Sequence, residues 1–217
     1  MSHCSKKANH GLVQRSKTKG FSLVELLVSL GIISVILSVV VSNQNTYTDS
    51  AALSNLADDL ALSISKAQAY GIAVRELSTG SANFTASYGL SVSLLASGSE
   101  TAYLFFADRN DNLIYDGDWT CQTGGASECL EKVDISRGNY IDSFCILRTN
   151  GADQCGTVER ADINFTRPEP DAGLTFFNSG GQVFTLPNTA GVRITLKSPG
   201  GLVKDVVIYT TGQVSVQ

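Results

Sequence analysis

Histidine is almost missing from this chain. Only His3 and His10 occur among 217 residues, and the single methionine is Met1. From residue 21 onward there is no imidazole, which excludes Ser-His-Asp and Cys-His catalysis and any His-ligated metal in that part, since each needs imidazole as base or ligand. Proline is scarce too, at 4 residues against 20 glycines, and charged residues make up only 17%. Many glycines with few prolines predict frequent turns between strands and argue against an all-helical body, while 43% hydrophobic residues exclude a disordered chain. The length suits one domain with a real core and an appended helix.

Acid is absent from the first twenty residues, which carry Lys6, Lys7, Arg15, Lys17 and Lys19. The formal charge of -4 therefore hides an asymmetry. Without those 5 of the 16 basic residues, 11 remain against 20 acidic ones, a net charge of -9 from Phe21 onward. Such a surface is a poor match for nucleic acid.

What the chain does have is a long apolar run. Phe21 to Val41 contains one charge, Glu25, and at ~1.5 Å per residue it reaches about 30 Å, enough to span a bilayer as a helix. Basic residues precede it, and the next Lys or Arg after it is Lys66. By the positive-inside rule the N-terminus is cytoplasmic and the body from Asn43 is exported. An ordinary secretory signal is cut after its apolar stretch, at small residues. Here the better site lies before it, where Lys17-Thr18-Lys19 leads into Gly20 and Phe21. Glu25 needs a partner as well, because a carboxylate one turn into a spanning helix costs about 2–3 kcal/mol unless it meets a cation.

The string Lys17-Thr18-Lys19-Gly20-Phe21-Ser22-Leu23-Val24-Glu25 resembles the type IV prepilin signature. That resemblance implies that a prepilin peptidase cuts Gly20-Phe21 and methylates the Phe21 amine, and that Glu25 then pairs with the Phe21 amine of an adjacent subunit. It implies as partners other pilin or pseudopilin subunits and an inner-membrane assembly platform. The chain would start as a single-pass protein of the bacterial inner membrane and pass into a pilus or a type II secretion pseudopilus. Many major pilins carry a helix-bending proline near the end of the apolar run; this chain reads Val41-Ser42-Asn43, which favours a minor subunit.

Beyond the run, Leu53, Leu56, Leu60, Ile64, Ala67, Gly71 and Val74 recur at intervals of three or four and predict an amphipathic helix from Thr48 to about Leu77. Asp49, Asp58, Asp59, Lys66 and Gln68 lie on its polar face, expected to meet water or neighbouring subunits. Short β-type runs follow at Tyr88 to Leu95, Thr101 to Ala107, Tyr140 to Thr149, Ala161 to Thr166, Leu174 to Asn178, Gln182 to Leu186, Val192 to Lys197, Val203 to Thr210 and Gln213 to Val216. The expected fold is α+β, a long N-terminal helix packed on an antiparallel β-sheet. The expected organisation is a removed leader over 1–20, a transmembrane and assembly helix over 21–42, an amphipathic helix over 43–78 and a β-rich body over 79–217.

Three further strings resemble the FimT/GspH group of minor pilins and pseudopilins: Ser65 to Gly71, the Asp/Asn-rich run Phe105 to Asn112, and the C-terminal run Val206 to Val214. Some members of that group take up DNA through a C-terminal Gly-Arg-x-Arg motif. At the corresponding place this chain reads Thr211-Gly212-Gln213-Val214-Ser215-Val216, without the cations that phosphate contacts need. Arg193, Lys197 and Lys204 are the remaining cations nearby, and three charges on adjacent strands suit an ordinary solvated face. A DNA-binding minor pilin of an uptake machine is thus the alternative to a purely structural subunit.

Cys121, Cys129, Cys145 and Cys155 all fall in the exported part, and an even number there predicts disulfides. Three connectivities are possible, and Cys121–Cys129 with Cys145–Cys155 is favoured because each closes a short loop containing glycine. A four-thiolate zinc site or a redox dithiol usually shows Cys-x-x-Cys pairs, and this chain has none. Asp108, Asn110, Asn112, Asp116 and Asp118 place oxygens at alternating positions, as calcium loops do. Leu113 stands where such a loop has its turn glycine, however, and Trp119 where it closes with glutamate. The other reading is an Asx-rich turn, with these side chains bonding nearby amides. No cofactor and no catalysis are expected, since an enzyme on this anchor would need a carboxylate pair that nothing in the sequence singles out.

Overall fold

The computed structural model describes residues 20–73, 86–122 and 127–217, which fall into two compact units divided between Gln44 and Asn45. One helix, α1 (Leu23–Ile72), contributes to both. In the first unit it is apolar on every side: Leu23–Val41 has a mean hydropathy of 2.6, and none of it is buried by protein. A helix without a polar face suits hydrocarbon, and this one is long and apolar enough to cross a membrane. Ser29 and Ser34 donate their hydroxyls to the carbonyls of Leu26 and Gly31, at 2.9 and 2.8 Å, so their polarity is satisfied within the helix.

In the second unit the three-to-four spacing takes effect. Leu53, Leu56, Ala57, Leu60, Ile64 and Ala67 are buried on one side of the helix, whereas Asp58 and Asp59 are exposed. Gly71 closes that stripe, because a Cβ there would collide with the Phe165 carbonyl. Lys66 and Gln68 are partly exposed on the polar face and also reach the strands. Lys66 pairs with Glu131 at 2.8 Å and sits over the Phe105 ring, and Gln68 donates to the carbonyls of Pro170 and Gly212. Long side chains at the margin of a buried stripe reach the strands beneath it. The expected continuation of the helix from Val74 to Leu77 lies outside the described residues.

Eleven strands follow among the described residues: β1 (Ser87–Ser93), β2 (Ser99–Asp108), β3 (Cys129–Asp134), β4 (Tyr140–Arg148), β5 (Gln154–Cys155), β6 (Arg160–Phe165), β7 (Ala172–Phe177), β8 (Val183–Phe184), β9 (Thr189–Lys197), β10 (Val203–Tyr209) and β11 (Val214–Val216). They form two antiparallel sheets in place of the single one expected, with orders β3-β2-β1-β6-β7-β8 and β11-β10-β9-β4-β5. Alternation identifies a strand but not the sheet it joins, and the chain changes sheet before β4, β6 and β9. Tyr88, Leu90, Ile163 and Phe165 from the first sheet, with Phe144, Ile194 and Ile208 from the second, share one core with the helix stripe. The fold is α+β.

Two strands were not anticipated. β3 is an edge strand whose Glu131 and Lys132 face water, as edges that avoid further pairing tend to do, and this hides its β character. β5 is only two residues long and pairs Cys155 directly with Cys145.

Candidate functional site

The residues singled out for processing stand together at the start of α1. Gly20 and Phe21 precede the helix, and Ser22 caps it: its Oγ accepts from the Val24 amide at 3.2 Å and its carbonyl from the Leu26 amide at 3.1 Å. Phe21 is 82% exposed, and nothing lies within 4 Å of the place a Cβ would take on Gly20. The bond between them is thus open to a second protein. Glu25 sits in the first turn, where a carboxylate faces the positive end of the helix dipole. Gly20, Phe21, Ser22 and Glu25 line one concavity of about 330 Å³. A spacing of four along the chain therefore brings Glu25 beside the residue whose amine would be freed by the cut. Lys17, Thr18 and Lys19 lie outside the described residues.

The Asp/Asn-rich run joins β2 to β3 and folds over the outer face of the first sheet. Tyr115 is buried there with Leu104, Phe106 and Cys129, and Trp119 packs alongside. Asp108 is 1% exposed: its Oδ1 accepts from the amides of Asn110, Asp111 and Asn112, and its Oδ2 from the Leu113 amide at 2.7 Å. Asp116 accepts from the side-chain amides of Asn110 and Asn112, and Asp118 from the Thr120 amide and hydroxyl. This is Asx-turn geometry, and left-handed backbone at Asp111 and Leu113 completes it. Among the described residues no three His, Cys, Asp or Glu side chains are grouped to hold a metal ion.

Sequence reasoning missed the buried groups that hold this loop. Glu128 accepts from the amides of Arg109 and Asp116, at 3.1 and 2.9 Å, and burial pushes its carboxyl above the ordinary range. Asp162 accepts from the Ser91 hydroxyl, the Tyr115 amide and the Arg160 guanidinium. Tyr115, which donates to the Asp118 carbonyl, is pushed up to about 12, first by burial and then by the charges of Asp118 and Glu128. The usable signal was Arg160-Ala161-Asp162-Ile163-Asn164, whose alternation puts three polar groups on one face. Nothing in it says that a loop covers that face.

Cys121 is bonded to Cys129 and Cys145 to Cys155, with Cα atoms 5.3 and 4.0 Å apart. At the C-terminal turn, Gly212 has φ +80 and docks its carbonyl on Gln68. Two of the three cations near it already face carboxylates, Lys197 with Asp142 at 3.2 Å and Arg193 with Asp205 at 4.0 Å.

An apolar helix that opens on Gly-Phe with a glutamate in its first turn, followed by a helix stripe packed on antiparallel sheets, is consistent with a type IV pilin-like protein. A family description, the prokaryotic N-terminal methylation motif, matches residues 15–41. No curated protein and no solved structure matches the chain. The motif implies cleavage by a prepilin peptidase, anchoring in the inner membrane by the apolar helix, and assembly with other pilins.

Proposed function

We propose that the chain is a structural minor pilin or pseudopilin of the FimT/GspH kind, incorporated without catalysis into a type IV pilus or a type II secretion filament. On this reading residues 1–20 are the leader, 21–42 the transmembrane and assembly helix, 43–78 its amphipathic continuation and 79–217 the exported body. The observation that carries it is the placement of Glu25 in the first turn of α1, the one charge in the apolar span Leu23–Val41, beside Phe21. After cleavage the Phe21 nitrogen becomes an amine, Glu25 of a neighbouring subunit supplies its counter-charge, and the inner-membrane platform adds the subunit to the filament.

The test separates anchoring from assembly. Removing a carboxylate from a span eases insertion by up to about 2–3 kcal/mol. Inside a bundle of such helices, by contrast, each Phe21 amine would lose its anion, and a charge left unpaired in apolar surroundings costs several kcal/mol. Glu25→Ala and Glu25→Gln are therefore expected in membrane fractions at unchanged levels and absent from sheared filaments. Variants that enter filaments as well as the unmutated chain refute the assembly role.

A further inference from the structure

The two disulfides stand in different surroundings. Cys129 is 1% exposed, packed against Leu104, Phe106 and Tyr115 with Cys121 beside it. Cys155, in contrast, is exposed on the two-residue strand β5, at the edge of the second sheet. Its partner Cys145 is 4% exposed in β4 and stands in register between Cys155 on one side and Arg193 of β9 on the other. Arg193 donates from Nη2 to the Cys145 sulfur at 3.3 Å, while its Nε faces Asp205 at 4.0 Å. One cysteine of this bond is thus exposed at a sheet edge, and the other is buried with its sulfur in contact with a guanidinium.

We propose that Cys145–Cys155 is a directional thiol-exchange site, with Cys155 as the sulfur attacked, Cys145 as the sulfur that leaves and Arg193 as the group that positions the departing thiolate. An incoming thiolate forms a new S–S bond to the Cys155 Sγ. The Cys145–Cys155 bond breaks, its electron pair stays on Cys145, and no proton moves in this step. A leaving sulfur better stabilised as thiolate departs faster, and a guanidinium at hydrogen-bond distance provides that stabilisation. If the reagent is a dithiol, its second thiolate then attacks its own sulfur in the mixed disulfide, releasing Cys155 as thiolate and the reagent as a disulfide. The same steps in reverse, with an oxidised dithiol, make the bond. The co-reactant is therefore a thiol or dithiol reaching the edge of the second sheet, and the site operates whether or not the chain assembles.

The probe is reduced glutathione, added to the full chain in detergent, followed by acid quenching, alkylation and mass mapping. Glutathione is expected on Cys155 and the alkyl group on Cys145, with Cys121–Cys129 still closed. Arg193→Gln should slow this opening roughly three- to tenfold, and Arg193→Lys should restore most of the rate, because the leaving anion needs a cation. Cys121–Cys129 serves as an internal clock whose slower opening stays the same in all three chains. Glutathione on Cys145, earlier opening of Cys121–Cys129, an unchanged or faster rate in Arg193→Gln, or a change that moves both disulfides together would each overturn the proposal.

Discussion

On the outer face of the first sheet, Arg160 and Asp162 form an ion pair that the β2–β3 loop shields from water. The side chain of Asp162 is fully buried and that of Arg160 is 14% exposed. Burial pushes the Asp162 carboxyl up, and it is opposed by Arg160, by the Ser91 hydroxyl and by the Tyr115 amide. The guanidinium donates in addition to the Tyr115 carbonyl and lies 4.3 Å over the Phe177 ring, so it ties β6 to the loop and to β7. A buried pair of this kind adds little net stability over an apolar substitute, but losing one partner strands the other. Arg160→Ala should therefore lower unfolding stability by about 3–5 kcal/mol, read from urea titration. Arg160→Met combined with Asp162→Asn should cost less than that single change, because no charge is then left buried. A smaller loss in the single variant than in the double would show that the pair is not the link between sheet and loop.

At the scale of elements, the β2–β3 loop is organised by carboxylates that accept backbone amides, and Glu128 gives it a predictable response to pH. Burial is the main reason its carboxyl is raised above 4.5; the Asp116 and Asp108 charges add to this, while the Asp116 and Arg109 amides pull the other way. The folded chain then holds this proton more tightly than the unfolded chain does. Its contribution to stability is full below about pH 4.5 and is lost as pH rises through the raised folded value. The stability advantage of the unmutated chain over Glu128→Gln should thus be largest at the acid end of a series from acid to neutral pH. An advantage that grows with rising pH contradicts the argument. This loop also marks where the sequence stopped being readable. The Asx turns of Asp108, Asn110 and Asn112 are local and follow from spacing, strands such as β1 and β9 follow from alternation, and β10 follows from its β-branched apolar run Val206-Val207-Ile208. The burial of Asp162 and Glu128, the assignment of β4 to the second sheet and the edge strand β3 depend on residues distant in the chain, which no local pattern encodes.

For the whole molecule, the readable part is concentrated in the first 41 residues, because crossing a bilayer and being cut at one bond impose requirements on consecutive positions. Co-expression with a prepilin peptidase should shorten the chain by its first twenty residues, and Gly20→Ala should slow or abolish the cut. Since the space around Gly20 is open, alanine fits the chain itself, and slowed cleavage reports the demands of the peptidase. A cut mapped after Ser42 or later contradicts the retained anchor. The body beyond Asn45 obeys a different constraint, set by the alternation of its strands between two sheets. β4 leaves the run of first-sheet strands and finds its long partner only in β9, after β5 to β8 have intervened. If the body is exported as proposed, in order from the anchor outward, Leu53, Leu60 and Ile64 and then Phe144 and Ile146 cross well before Val192, Ile194 and Ile208 arrive to cover them. Non-local pairing must wait for loop closure, so these apolar surfaces lack their β9 and β10 partners until the C-terminal strands are present. Cys145 and Cys155, 10 residues apart, can meet during that interval, before β9 has brought Arg193 alongside. On the proposed export topology, the bond can therefore close before its cation is in place, and it gains the Arg193 guanidinium only once β9 pairs with β4.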